Sequence, residues 1–506
     1  MKQWLGILAI LVFVGLLYGR IPSTYFCGYD DFNENNRAAF EERKEPLRLL
    51  TATHFNSYKY RPLSHTLHYA TYWLGHGNPA LFRVRNVVCH LLNILLVYGI
   101  GMLLFRNWLA SAGAALLFGV HPLVNQPVVA ASFTIPAAHV GFLFALFCFL
   151  YSLRKKPESL PWLCLGLLAG WLSLLTYESS ISVFVLMFGY LFIQFVIVRE
   201  MPVSRKYLLV FVIGTVLLVG SYFGMRRMFV TVAAKQAVPS VKTLVGSTVM
   251  YSAALVSPID SVLANDWFGT PLPSELQLGA ISSGWKLVLL VIAIIGVVCL
   301  ALLVKVLVNR LNRRALAIDL FLLSAIVLSL LPLIVFTPKP SETYMYLAVA
   351  FGALLFSSVL SLLVKVEEPR GRAVFVGVFG VLAISFSCAT WVRNGSVASC
   401  GQTAKIIMDQ LQQDRFKQGD WSVWLVAAPG EPRVQRYGIY RCRGIETIGA
   451  PGIESALRVA NNNELVSAHV VDATLLPANC GSPRAVCLQV HDDGRVVELN
   501  PGTPAQ

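Results

Sequence analysis

Charge is what this chain lacks most. Only 13% of its 506 residues are Asp, Glu, Lys or Arg, where a soluble protein carries about a quarter. With 56% hydrophobic residues and a mean hydropathy of +0.63, that deficit excludes a soluble globular chain and points to many membrane passages. The net charge of +14 does not form a nucleic-acid-binding face. Its bases fall in short runs between apolar segments, as the positive-inside rule expects, so no nucleic acid partner is expected. Nucleotide signatures are missing too. There is no GxxxxGK(S/T) loop and no GxGxxG, since "YGIGMLL", 98–104, lacks the third glycine and lies in an apolar run. A nucleotide-driven machine is therefore disfavoured. No CxxC or Cys/His spacing suited to zinc occurs, and no fixed-period repeat. The N-terminal run "MKQWLGILAILVFVGLLYGR" has no small-x-small cleavage site after it and reads as an uncleaved first span.

Apolar runs able to cross a bilayer number about eleven, allowing compact spans of roughly 17 residues. They lie near 4–20, 86–105, 108–122, 137–153, 161–176, 180–198, 207–225, 284–304, 315–336, 343–364 and 373–391. Basic connections at 154–157, 198–206, 305–314 and 365–372, all placed in the cytoplasm, put the N-terminus inside and the tail outside. Residues 243–264 would reverse every later loop if they crossed, so they read as a re-entrant or interfacial helix on the outer face. The expected fold is an all-α polytopic membrane protein, transmembrane over 1–395, with a first outer loop at 21–85. Residues 396–506 form a small C-terminal extracytoplasmic α/β domain, with strand-like runs "WSVWLVAA" and "RAVCLQVHD". Five cysteines (Cys89, Cys148, Cys164, Cys299, Cys388) lie in spans as small apolar residues. The other five (Cys27, Cys400, Cys442, Cys480, Cys487) lie outside, where Cys480 and Cys487 are placed to close a disulfide. "NGS", 394–396, is a glycosylation triplet on the expected outer side.

Polar residues that a membrane does not explain gather at the outer edge, and such residues are functional candidates. "CGYDDFNENN", 27–36, sets Asp30 beside Asp31 just beyond the first span. "YKYRPLSHTLHYATYWLG", 58–75, reads as an interfacial helix carrying His65, preceded by Arg61. A guanidinium there suits bidentate phosphate contact. His121 ends a span as either a structural cap or a ligand-facing group, and Glu178 sits at an outer junction where it would pair with a base or orient a hydroxyl. "TPKPSETYMYLAV", 337–349, brings Lys339, Glu342 and Tyr346 to the same face, where Arg226 and Arg227 end another span. One chemistry needs this set: transfer of a sugar from a polyprenyl phosphate carrier at the outer leaflet. A carboxylate takes the proton of the acceptor hydroxyl as it attacks the anomeric carbon, and cations or a metal stabilise the departing phosphate. Asp30 or Asp31 is the natural base. Asp30, Asp31 and Glu34 together would also suit a hard divalent cation, Mg or Mn.

These residues resemble the integral-membrane C-type glycosyltransferases. The likeness is to the set that includes the protein O-mannosyltransferases, the transmembrane mannosyltransferases with tetratricopeptide repeats, and bacterial relatives. "YDD", 29–31, stands where that family carries an acidic pair. "YRPLSHTLHYATYWLGHGNPALFRVRNVVCHLLNILLVYGI", 60–100, is similar to its YRPL…HLxNxxLxY stretch, "HPLVNQPVVAASF", 121–133, to its HPxxxExV segment, and "SETYMYL", 341–347, to its ERYxYL block. "WVRNGS", 391–396, ends the last span as the family does, with Arg-Asn. The resemblance implies a lipid-phosphate-sugar donor, an inverting transfer, and Asp30 or Asp31 as base. It places Arg61 in the donor region, and Glu342 and Tyr346 near the carrier phosphate. Thr343 replaces the family's Arg, which leaves the phosphate to Lys339, Arg226 or Arg227. Gln126 replaces an acid, and no tetratricopeptide repeats follow. In layout the chain also resembles bacterial enzymes that decorate O-antigen, including phage-borne serotype-converting glucosyltransferases. The expected setting is a bacterial inner membrane and the expected acceptor an envelope glycan, with a protein hydroxyl as the alternative. A lipid-linked glycan transporter, the reading from a different class, would need polar groups at the midplane, where charges are almost absent.

Overall fold

Long apolar runs fold as helices because the bilayer leaves no other partner for their backbone, and local residues set where they begin. The structure is a computed structural model describing residues 2–41, 48–51, 53–54, 59–155, 157–199, 203–230, 251, 255, 313–336, 342–427, 448, 452–471, 480, 483–491 and 493–499. α1 (Lys2–Leu17) runs up to one end of the bundle, called the rim below. Beyond it come α2 (Tyr29–Asn36), a two-residue hairpin of β1 (Thr53–His54) and β2 (Lys59–Tyr60), and α3 (Pro62–Gly75). The bundle continues with α4 (Pro79–Phe105), α5 (Trp108–Val120), α6 (Asn125–Val129), α7 (Ile135–Arg154), α8 (Leu160–Thr176), α9 (Ser182–Ile193) and α10 (Arg205–Phe229). It closes with α11 (Arg313–Phe336), α12 (Tyr346–Leu363) and α13 (Pro369–Leu411). Side-chain caps begin three of these: Asn78 accepts from the Ala80 amide, Asn107 from those of Leu109 and Ala110, and Ser204 from that of Tyr207.

Among the described residues, eight helices are long and apolar enough to span a membrane, and α5 with the segment after it makes a ninth if that bent pair is one span. α8 is a shorter apolar helix. These ten coincide with ten of the expected spans; the remaining one, 284–304, and the expected re-entrant 243–264, apart from residues 251 and 255, lie outside the described residues. The protein is a polytopic membrane protein.

Three boundaries differ from the sequence reading. In the first outer segment the described residues form α2 and the β1–β2 pair besides the expected helix at α3, and the next span begins at Pro79 and not near 86. Pro122 ends α5 and bends the chain by 55°, and the residues that follow stay inside the protein instead of emerging at its surface. The helix of the last span does not stop near 391, because α13 runs for 43 residues. That is roughly 65 Å, about twice the hydrocarbon thickness, and the expected domain boundary at 395 falls inside one continuous helix.

The tail is an α/β unit with sheet order β4-β3-β5-β6. β3 (Ser422–Ala427) leads through α14 (Ile453–Asn461) to β4 (Ser467–Val471), parallel to it, with β5 (Ala485–Val490) parallel on its other side and β6 (Val496–Glu498) antiparallel at the edge. Cys480 and Cys487 form the expected disulfide, and Cys400 is disulfide-bonded as well.

Candidate active site at the rim

Adjacent residues on a helix point about 100° apart, so Asp30 and Asp31 cannot share an environment. Asp31 is 2% exposed and fully engaged. Its Oδ1 accepts from the Ser132 amide at 2.8 Å, its Oδ2 from the Cys27 amide at 3.2 Å, and the Arg83 guanidinium stands 3.8 Å away. Arg83 is wholly buried; it donates to the carbonyls of Val129 and Tyr25. Beside it Arg85 donates to the carbonyls of Ala131 and Phe133, and Asn86 to that of Ala130. The start of α4 thus fastens the 129–133 segment, and that segment presents the Ser132 amide to Asp31. Burial pushes Asp31 up, against Arg83 and the two amides, which favour its charged form.

Asp30 is half-buried and faces the other way. Burial first, then the carboxylates of Glu34 and Asp31, push its carboxyl up to about 7, while Lys59 draws it down. Lys59 in turn lies within reach of Arg61, Glu178 and Asp30. Arg61 forms a two-pronged pair with Glu178, through Nε to Oε2 and through NH2 to Oε1 at 2.9 Å, and its guanidinium lies over the Tyr177 ring, 4.1 Å from the centroid. Tyr177 packs beside Tyr344, and the two line a narrow crevice with His139, Ser179, Thr343 and Leu347. From the other flank, Tyr60 stacks on Phe229 at 5.7 Å and accepts from Tyr222 through its carbonyl, bringing the end of α10, with Arg226, to the same corner.

The structure therefore brings Asp30, Arg61, Glu178 and Arg226 to one corner, with Lys59 and Tyr177 added. Arg227 is exposed on the same turn. His65 is buried on α3, held neutral by burial and by Arg37 and Arg61, with its pKa lowered to about 3. His121 is a cap: Nδ1 accepts from the Leu123 amide, and Nε2 meets the Leu255 carbonyl. Tyr346 lies inside the bundle, where its hydroxyl is shared by His90 at 2.7 Å and Asn93 at 3.0 Å and its ring stacks on His139. The backbone of Glu342 opens a short turn before α12; Lys339 lies outside the described residues. Asn394 is 1% exposed, donates to the Leu17 carbonyl and accepts from Asn125, so the triplet at 394–396 is structural and not a glycan acceptor. Lys59, Arg83 and Arg85 were missed by sequence reasoning. The signal available was a pair of arginines, "FRVRN", opening an otherwise apolar helix.

Asp30, Asp31 and Glu34 do not form a cation cage. Asp31 is committed to amides and Arg83, Glu34 meets Arg37 at 3.7 Å, and among the described residues no group of three His, Cys, Asp or Glu is placed to hold a metal.

No family model and no curated protein matches the chain. Among solved structures it superposes on the apo oligosaccharyltransferase of Archaeoglobus fulgidus with a TM-score of 0.51 and 14% identity, over 84% of this chain and 62% of that one. The chain thus spans less than two thirds of that relative's length. ArnT from Cupriavidus metallidurans matches in its apo state at TM-score 0.44 and 15% identity over 96% of this chain and 92% of its own. Bound to undecaprenyl phosphate it matches at TM-score 0.45 and 14% identity over 99% and 98%. The chain has the fold of the integral-membrane C-type glycosyltransferases.

Proposed function

We propose that this protein transfers a single sugar from a polyprenyl-phosphate carrier to an acceptor hydroxyl at the outer face of a bacterial inner membrane, with its N-terminus in the cytoplasm and its tail in the periplasm. The observation that carries this reading is the division of labour between the two acids. Asp31 has both oxygens occupied by backbone amides, while Asp30 is half-buried with its carboxyl pushed up to about 7, opposite Lys59 and the Arg61–Glu178 pair. A general base works best with a pKa near the ambient pH. Asp30 takes the proton from the acceptor hydroxyl as that oxygen attacks the anomeric carbon. The phosphate leaves from the opposite face of the sugar, and the configuration inverts. Lys59 and Arg226 supply positive charge for the leaving phosphate. Arg61, stacked on Tyr177 and fixed by Glu178, holds the β2–α3 corner that carries Lys59.

The acceptor proposed is an envelope glycan such as O-antigen, with a protein hydroxyl as the alternative, because the sequence carries no tetratricopeptide repeats after the last span. Mass analysis of envelope glycans and periplasmic proteins tests this in cells with the gene, without it, and with Asp30→Asn. Loss of one sugar from the glycan in the last two strains is expected. Loss from a protein would move the acceptor to polypeptide, and no change in either fraction would end the proposal.

A further inference from the structure

The rim has a second core, separate from the main bundle. Phe26, Phe32 and Phe82 pack in one cluster with Ile407, Met408 and Leu411 of α13 and Ile453, Ala456 and Leu457 of α14. Phe32 belongs to α2 itself, so part of the acid-bearing helix is buried where the tail domain meets the rim ends of α4 and α13. One polar contact keys the seam: the Ser455 hydroxyl donates to Asn33 Oδ1 at 2.6 Å. The strand of chain leading into α2 is gripped too. A Cβ added at Gly401 of α13 would stand 2.5 Å from Thr24 Cγ2 and 2.8 Å from the Tyr25 carbonyl oxygen. That carbonyl accepts from Arg83 on its other side. Residues 24–28 are thus clamped between α13 and α4, immediately before the acids.

The geometry points to the C-terminal domain as the positioning element of the proposed base, with Ser455 and Asn33 as positioning residues that fix α2 and through it Asp30. This rests on the reading of Asp30 as base. The domain acts by packing and not by its charges. Among the described residues, the charges that bear on Asp30 include Asp31 and Glu34 of its own helix and Lys59 of β2, and the elements packed against α2 carry Glu454 and Arg458 on α14 and Lys405 and Asp409 on α13. Loosening the seam admits water to Asp30, relieves its desolvation, and lowers its pKa. The acidic limb of the rate profile then moves to lower pH.

The test uses the full chain in native membrane vesicles, with their own polyprenyl-phosphate sugars as donor, between pH 5 and 9. Ser455→Ala and Asn33→Ala should each lower kcat about tenfold with KM within about twofold, and shift the acidic limb downward. The double variant should be no worse than either single one, and Ser455→Thr should restore both rate and limb. Leu465→Ala, an exposed residue of the same domain, should match wild type. Unchanged rates and limbs in Ser455→Ala and Asn33→Ala, or purely additive losses with no shift, would overturn the positioning role while wild type remains active. Full activity in Asp30→Asn in the same vesicles would instead overturn the underlying assignment of the base.

Discussion

The rim and the bundle interior both bury polar groups, but they use them differently. Inside, they mostly satisfy one another at neutral contacts. Tyr346 is shared by His90 and Asn93, Ser173 bonds Ser180 and the Ala138 carbonyl, and Ser357 donates to the Ala110 carbonyl. Ser358 also donates to the wholly buried Asp319 at 2.7 Å. These are bonds that lock helices together where no water competes. At the rim the buried groups are charged: Asp31 meets Arg83, Arg61 meets Glu178, and Asp30 stands half-buried among acids with Lys59 as an opposing charge. The difference separates groups that hold the fold from Asp30, the group proposed as the base.

Four substitutions would break or sharpen that contrast. Asp30→Asn should lower transfer on the order of 10³-fold at unchanged protein yield, measured as product formed in vesicles. Asp31→Asn leaves the buried Arg83 without its counter-charge. It should cost about 3 kcal/mol of stability, read as a lower thermal inactivation midpoint, with activity falling as the folded fraction falls. Arg61→Lys keeps the charge but loses the two-pronged geometry to Glu178. About 2 kcal/mol of transition-state stabilisation should go with it, read in kcat/KM. Tyr346→Phe removes one interior hydroxyl, so stability should drop by about 1 kcal/mol while transfer stays within about twofold of wild type. An Asp31→Asn variant that is stable yet inactive would reverse the roles assigned to the two acids.

Much of the bundle was legible because a run of 17 or more apolar residues admits few other structures. The acid pair was legible as well, since adjacent charges beyond a span need a reason. The division between the acids was not, because it depends on Ser132 and Arg83, which lie 101 and 52 residues from Asp31 and meet it only through the fold. The length of α13 was obscured by the change from apolar to polar composition after Trp391, which marks where a membrane ends and not where a helix does. The Pro122 bend was visible as a helix stop, but the sequence gives no sign that the chain then turns inward. His121 and Tyr346 attracted attention by their residue types and motif positions; the fold gives each of them buried hydrogen-bond partners.

The account stands most directly on how transfer depends on pH. In vesicles, kcat/KM for wild type should climb with a single-proton limb near 7, because the base must lose its proton before it can accept one from the acceptor. Asp30→Glu should keep a limb at altered pH with reduced rate, and Asp30→Asn should have none. A wild-type rate flat from pH 5 to 9, or a limb that survives in Asp30→Asn, would contradict it.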